Sequence, residues 1–97
     1  MDIFKQQIEQ AIIGMSFPGM DRQLVVGRIL ASAEEFVLSN IAADLLSQDD
    51  KALFRDCYLS APDIFDVDEF LAERVPNYDT EVDRYFAQWL TSFRQSL

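Results

Sequence analysis

Apolar residues recur along this chain every three or four positions, the spacing that lines one side of an α-helix, and no stretch alternates as a strand would. From Asp2 to Ile13 the apolar face is Phe4, Ile8, Ala11 and Ile12, with Met15 just beyond, and Asp2 is of the type that caps a helix start. Gly14 is the expected stop, because a residue without a Cβ takes the left-handed conformation that closes a helix at little cost. Ser16-Phe17-Pro18-Gly19 then reads as a turn.

The second segment, Asp21 to Leu46, is the longest, and as a helix it would span about 39 Å. Its main stripe is Val26, Ile29, Leu30, Ala33, Val37 and Ile41, while Leu24, Leu38, Ala42, Leu45 and Leu46 lie well off that stripe. Only Arg28, Ser32, Glu35 and Ser39 form a consistently polar strip. A helix apolar on most sides must be covered on most sides, so this segment is expected at the centre of a bundle. Asn40 and Asp44, one turn apart, fall on the side of Ala33 and Val37. The simpler explanation is that the helix leaves the core there; the other is that a polar contact is made.

Ser47 ahead of Asp49 and Asp50 is a strong start signal for a third helix, running to about Leu59 and burying Leu53, Phe54, Cys57 and Tyr58. Ser60-Ala61-Pro62-Asp63 breaks it. Asp66 followed by Glu69 resembles a capping box for a short fourth helix, Val67 to Arg74, with Phe70 and Leu71 turned inward. Val75-Pro76-Asn77 ends that helix, since proline disfavours a helical residue before it. The last helix begins near Tyr78 or Asp79 and runs almost to Leu97. In it Val82, Tyr85, Phe86, Trp89, Leu90, Phe93 and Leu97 fall within an arc of about 140°. Trp89, at the centre of that arc, is expected to be mostly buried. The pattern as a whole predicts a single all-α domain over residues 1–97: a compact bundle of four to five helices with a long central second helix and no sheet.

Charge narrows the functional picture. Seventeen acidic side chains against eight basic ones leave a net charge of −9. Nucleic-acid binding and attachment to an anionic membrane both draw on Lys and Arg, and this chain has the opposite field. The field favours a basic protein partner, or serves solubility alone. The most apolar region, Leu24 to Leu46, is interrupted by Arg28, Glu34, Glu35, Asn40 and Asp44, which excludes a simple membrane span. Met1-Asp2 opens no signal peptide, and Cys57, the single cysteine, allows no internal disulfide, so a cytoplasmic setting is expected.

The chain has no histidine, so neither the usual general base nor the commonest metal ligand is present. Its glycines stand isolated at 14, 19 and 27 and form no phosphate loop. No cofactor is expected. Two carboxylates can in principle supply acid and base, but nothing in the spacing selects a pair from seventeen. Cys57, between Phe54 and Tyr58, reads as a small buried hydrophobe. Asp63, Asp66, Asp68 and Glu69 resemble a fragment of a calcium loop, but the twelfth position falls on Arg74 or Asn77 rather than on the glutamate such a loop requires. Helix capping explains the cluster better.

The same cluster is the best candidate for an interaction patch. Residues 63 to 83 hold eight acids, with Ile64, Phe65 and Tyr78 interleaved. Asp63, Phe65, Asp66, Asp68, Glu69 and Tyr78 are the candidate partner-binding residues, since aromatics beside acids suit docking of a basic segment. The simpler arrangement has Phe65 and Tyr78 in the core while the acids face water.

From about residue 24 onward the order of features resembles a domain-of-unknown-function family of short bacterial helical proteins. The residues that carry the resemblance are Leu45-Leu46-Ser47, Asp49-Asp50, Leu53-Phe54, Phe70-Leu71 and Val75-Pro76-Asn77-Tyr78, followed by the terminal amphipathic helix. The resemblance implies a helical fold and carries no activity or functional residue. The expected function is a non-enzymatic protein–protein interaction module, with self-association through the flanks of the second helix left open. The alternatives are an acidic inhibitor or nucleic-acid mimic that occupies a basic groove on a partner protein, and a small carboxylate-dependent enzyme.

Overall fold

The computed structural model describes residues 2–96, with side chains from Phe4 onward. The expected capping by the Asp2 side chain and the placement of Leu97 on the last apolar arc fall outside what is described. Five helices follow one another: α1 (Asp2–Ala11), α2 (Arg22–Leu45), α3 (Gln48–Ser60), α4 (Val67–Arg74) and α5 (Tyr78–Ser96). No strand occurs among the described residues. The chain is all-α, with the long α2 at its centre.

Helix starts follow the capping chemistry. Asp21 accepts from the Gln23 N–H at 2.8 Å, Ser47 from the Asp50 N–H at 3.1 Å, and Asp66 from the Glu69 N–H at 3.0 Å. Each bond satisfies an amide that the first turn of a helix leaves without a partner. Gly14 turns left-handed at φ 83°, although α1 already ends at Ala11, and Met15 stays exposed rather than joining the α1 face. The end of α1 is closed by a side chain no periodicity points to: the Arg22 guanidinium donates to the carbonyls of Ile12 at 2.9 Å and Met15 at 3.1 Å. Asn77, at φ 55°, makes the sharp left-handed turn between α4 and α5.

The core lies where α1, α2, α4 and α5 meet. Phe4 and Ile8 of α1 face Ala33, Val37 and Ile41 of α2, with Phe70 and Leu71 of α4 and Val82, Phe86 and Leu90 of α5 completing the cluster. Phe4 and Phe86 stack with ring centroids 3.8 Å apart. Of the stripe expected on α2, Val26, Ala33, Val37 and Ile41 are buried and Ile29 and Leu30 half-buried, while Leu24, off that stripe, is exposed. Cover around α2 is therefore less complete than its composition suggests. Asp44 is exposed, as expected where the helix leaves the core, and it also makes a polar contact: its carboxylate accepts from the Tyr85 hydroxyl at 2.8 Å and ties α2 to α5. Asn40 instead donates to the Phe36 carbonyl of its own helix.

The expectation for α3 is corrected. None of its residues is buried: Leu53 and Tyr58 are exposed, and Phe54 and Cys57 are half-buried. The reason is lateral. Phe54 reaches the bundle through Phe65 and Phe70, but no element covers the far side of α3, so its remaining apolar residues face solvent. Trp89 packs against the core as expected, held between Phe86 and Phe93, though its ring is not fully enclosed.

Candidate functional site

The turn from α3 to α4 builds the most distinctive surface. Ala61 closes α3 by donating its N–H to the Cys57 carbonyl at 3.1 Å, and the N–H groups of Ile64 and Phe65 then both point back to the Ala61 carbonyl. This tight path sends consecutive side chains in opposite senses. Phe65 folds inward, while Ile64 projects outward and is 84% exposed. Inside, Phe54, Phe65 and Phe70 meet edge-to-face, with all three centroid separations between 5.4 and 5.6 Å. That is the arrangement aromatic quadrupoles favour. The Arg74 guanidinium lies 3.8 Å from the centre of the Phe70 ring, donates to the Phe70 carbonyl and stands 3.6 Å from Asp50, so it braces α3 against α4.

Above the rings runs an open groove of about 290 Å³. Leu53, Cys57, Ile64 and Phe65 line its apolar side, and Asp66, Glu69 and Glu73 its acidic rim. Cys57 is therefore a half-buried thiol on a groove wall, not the enclosed residue its neighbours suggested.

Of the six residues singled out from the sequence, three come together here: Phe65, Asp66 and Glu69. Asp63 is exposed in the turn and does not line the groove. Tyr78 is buried in the core, and its hydroxyl donates to the Asp68 carboxylate. Those two form a bond within the fold, with no part in the groove, and Tyr78 follows the simpler arrangement. Burial and then the hydrogen bond to Asp68 push the Tyr78 phenol well above the usual tyrosine range. Burial, with the bond to Asp44 second, raises Tyr85 as well.

Sequence reasoning missed Leu53, Cys57, Glu73 and Arg74 as parts of the surface. One signal was available: Asp66, Glu69 and Glu73 are spaced three and four apart, which sets them on one side of α4. Nothing comparable marks Leu53, whose helix carries an apolar face that looks ready for burial. Among the described residues no three carboxylates or thiols gather closely enough to hold a metal ion, and no helix is long and apolar enough to cross a membrane.

The chain matches no family model, and no curated protein or solved structure matches it either.

Proposed function

We propose that the chain is a non-enzymatic protein–protein interaction module whose docking surface is the groove between α3 and α4. One observation carries this reading: Ile64, 84% exposed, and Leu53, 43% exposed, stand over a floor of packed aromatic rings instead of being buried by the chain's own helices. Burying one such side chain against a partner contributes about 1.5–3 kcal/mol, and a contiguous apolar patch ringed by charge is a common mark of an interface. The acids of the rim speed encounter with a cationic partner and deter acidic ones.

The rival readings find less support. A nucleic-acid mimic needs its acids at phosphate-like spacing on one surface, whereas capping places Asp21 and Asp66 at the starts of two separate helices, α2 and α4. A carboxylate enzyme needs two acids converging in an enclosed pocket, whereas the acids here rim an open groove. A cytoplasmic setting belongs to the same proposal, supported by the single cysteine and the absence of any internal disulfide partner for it. Kinship with the helical family of unknown function is a further proposal and adds no activity.

The test is quantitative affinity capture from the host with the wild-type chain and with Ile64→Asp, followed by mass spectrometry. Ile64 is so exposed that the substitution should leave the helical circular dichroism spectrum and melting temperature nearly unchanged. A partner retained by the wild type and lost from the variant is the expected result. Partners captured equally by both would place the interface elsewhere, with the flank of α2 near Glu35 and Ser39 next to test.

A further inference from the structure

We infer that the occupant of this groove is a basic amphipathic helix of a partner protein, laid along α4 with its apolar side chains over Leu53 and Ile64 and its lysines or arginines against Asp66, Glu69 and Glu73. The inference rests on the interaction reading above and deepens it. Glu69 and Glu73 lie one turn apart on the flank of α4, and Asp66, the N-cap at its start, continues the three-and-four spacing over a rise of about 10.5 Å, with one of its oxygens taken by the Glu69 N–H at 3.0 Å. A helix lying alongside repeats its side chains with the same three-and-four spacing, so cations at i, i+3 and i+7 meet the three acids in register. An extended segment repeats on one face about every 6.6–6.8 Å and meets them out of step.

Charge decides between occupants. The one cation lining the groove, Arg74, is shared among the Phe70 ring, the Phe70 carbonyl, Asp50 at 3.6 Å and Glu73 of the rim at 3.4 Å. It offsets part of one rim charge and leaves Asp66 and Glu69 without a basic partner among the described residues. The rim therefore stays negative on a chain whose net charge is −9. A second copy docked groove to groove would set the same three acids against one another, which like-charge repulsion opposes. A basic helix instead satisfies rim and floor together: its charges pair with the acids, and its apolar face covers Ile64 and Leu53.

Fluorescence anisotropy with three labelled peptides tests this: a helical peptide with leucine on one face and lysine on the other, a scrambled peptide of the same composition, and its glutamate counterpart. The basic amphipathic peptide should bind, weaken with added salt and shift amide resonances around Ile64, Phe65, Glu69 and Glu73. Glu69→Lys combined with Glu73→Lys should weaken it by about tenfold. Glu69→Gln with Glu73→Gln serves if the reversal disturbs the fold. Ile64→Asp is the sharpest arm, because it adds a negative charge. Pure charge attraction makes that variant bind as well or better, whereas docking in the groove makes it bind worse.

Equal binding of the scrambled peptide, tighter binding by Ile64→Asp, shifted resonances elsewhere, or no binding at all would each overturn the inference. The same variants in the capture experiment separate the two claims. A host partner that depends on Ile64 but not on Glu69 and Glu73 leaves the interaction module standing and removes the basic helix. A partner indifferent to both removes both.

Discussion

Tyr78 and Tyr85 show how single polar atoms are settled at the edge of an apolar core. Each ring is buried, and each hydroxyl finds a carboxylate from another stretch of chain: Asp68 for Tyr78, Asp44 for Tyr85. A hydroxyl left without a partner at such a site costs about 1–3 kcal/mol, so these bonds fix the position of α5 more than they add net stability. Both phenols hold their protons more tightly in the folded protein than in the unfolded chain. Below about pH 10 the two states carry the same phenolic protons, and stability does not depend on them. Above that the unfolded chain releases protons that the fold retains, so stability falls as pH rises, with Tyr78, the more strongly shifted of the two, contributing more. Urea unfolding between about pH 8 and pH 11 should show this decline, and Tyr78→Phe should make it shallower. Tyr85→Phe at neutral pH should cost about 0.5–1.5 kcal/mol, since it leaves Asp44 exposed to water. These pairings were only half visible beforehand. Asp44 announced a polar atom in an apolar stripe, but which hydroxyl it meets, 41 residues away, depends on how α5 packs.

The helices differ in how much of their placement local chemistry decides. The bounds of α4, the caps at Ser47 and Asp66, and the inward face of α5 were all legible, because capping atoms and apolar spacing act within a few residues. The position of α3 was not legible. Leu53, Phe54, Cys57 and Tyr58 make an apolar face, and periodicity gives no sign of whether another helix covers it. α3 holds to the bundle by the Phe54 ring and the Arg74–Asp50 pair, so it should open more readily than α2 or α5. Amide hydrogen exchange should find its protection well below that of α2 around Val37 and Ile41, and Phe54→Ala should lower it further while leaving α2 protected. Equal protection in α2 and α3 would show that α3 belongs to the cooperative core. Trp89 makes a related point within α5. Its ring stacks 4.9 Å from Phe93 and lines a shallow groove with Ile29, so Trp89→Ala should cost about 2–3 kcal/mol, less than the ~3–5 typical of an enclosed ring.

At the scale of the molecule, the uncovered side of α3 shows in the shape. A compact chain of this length has a radius of gyration of about 12.5 Å, whereas this one has 15.3 Å and a long axis of 46 Å. The 24 residues of α2 account for about 36 Å of that length. The groove that should receive a partner exists only while α3 lies open in this way. Small-angle X-ray scattering of the free protein is therefore the most direct measurement, since it reports size and mass together. A monomer with a radius of gyration near 15 Å, unchanged on dilution, is the predicted result. A monomer near 12.5 Å, with α3 folded over its own groove, would contradict it, as would a dimer that dissociates only when Ile64 is replaced by Asp.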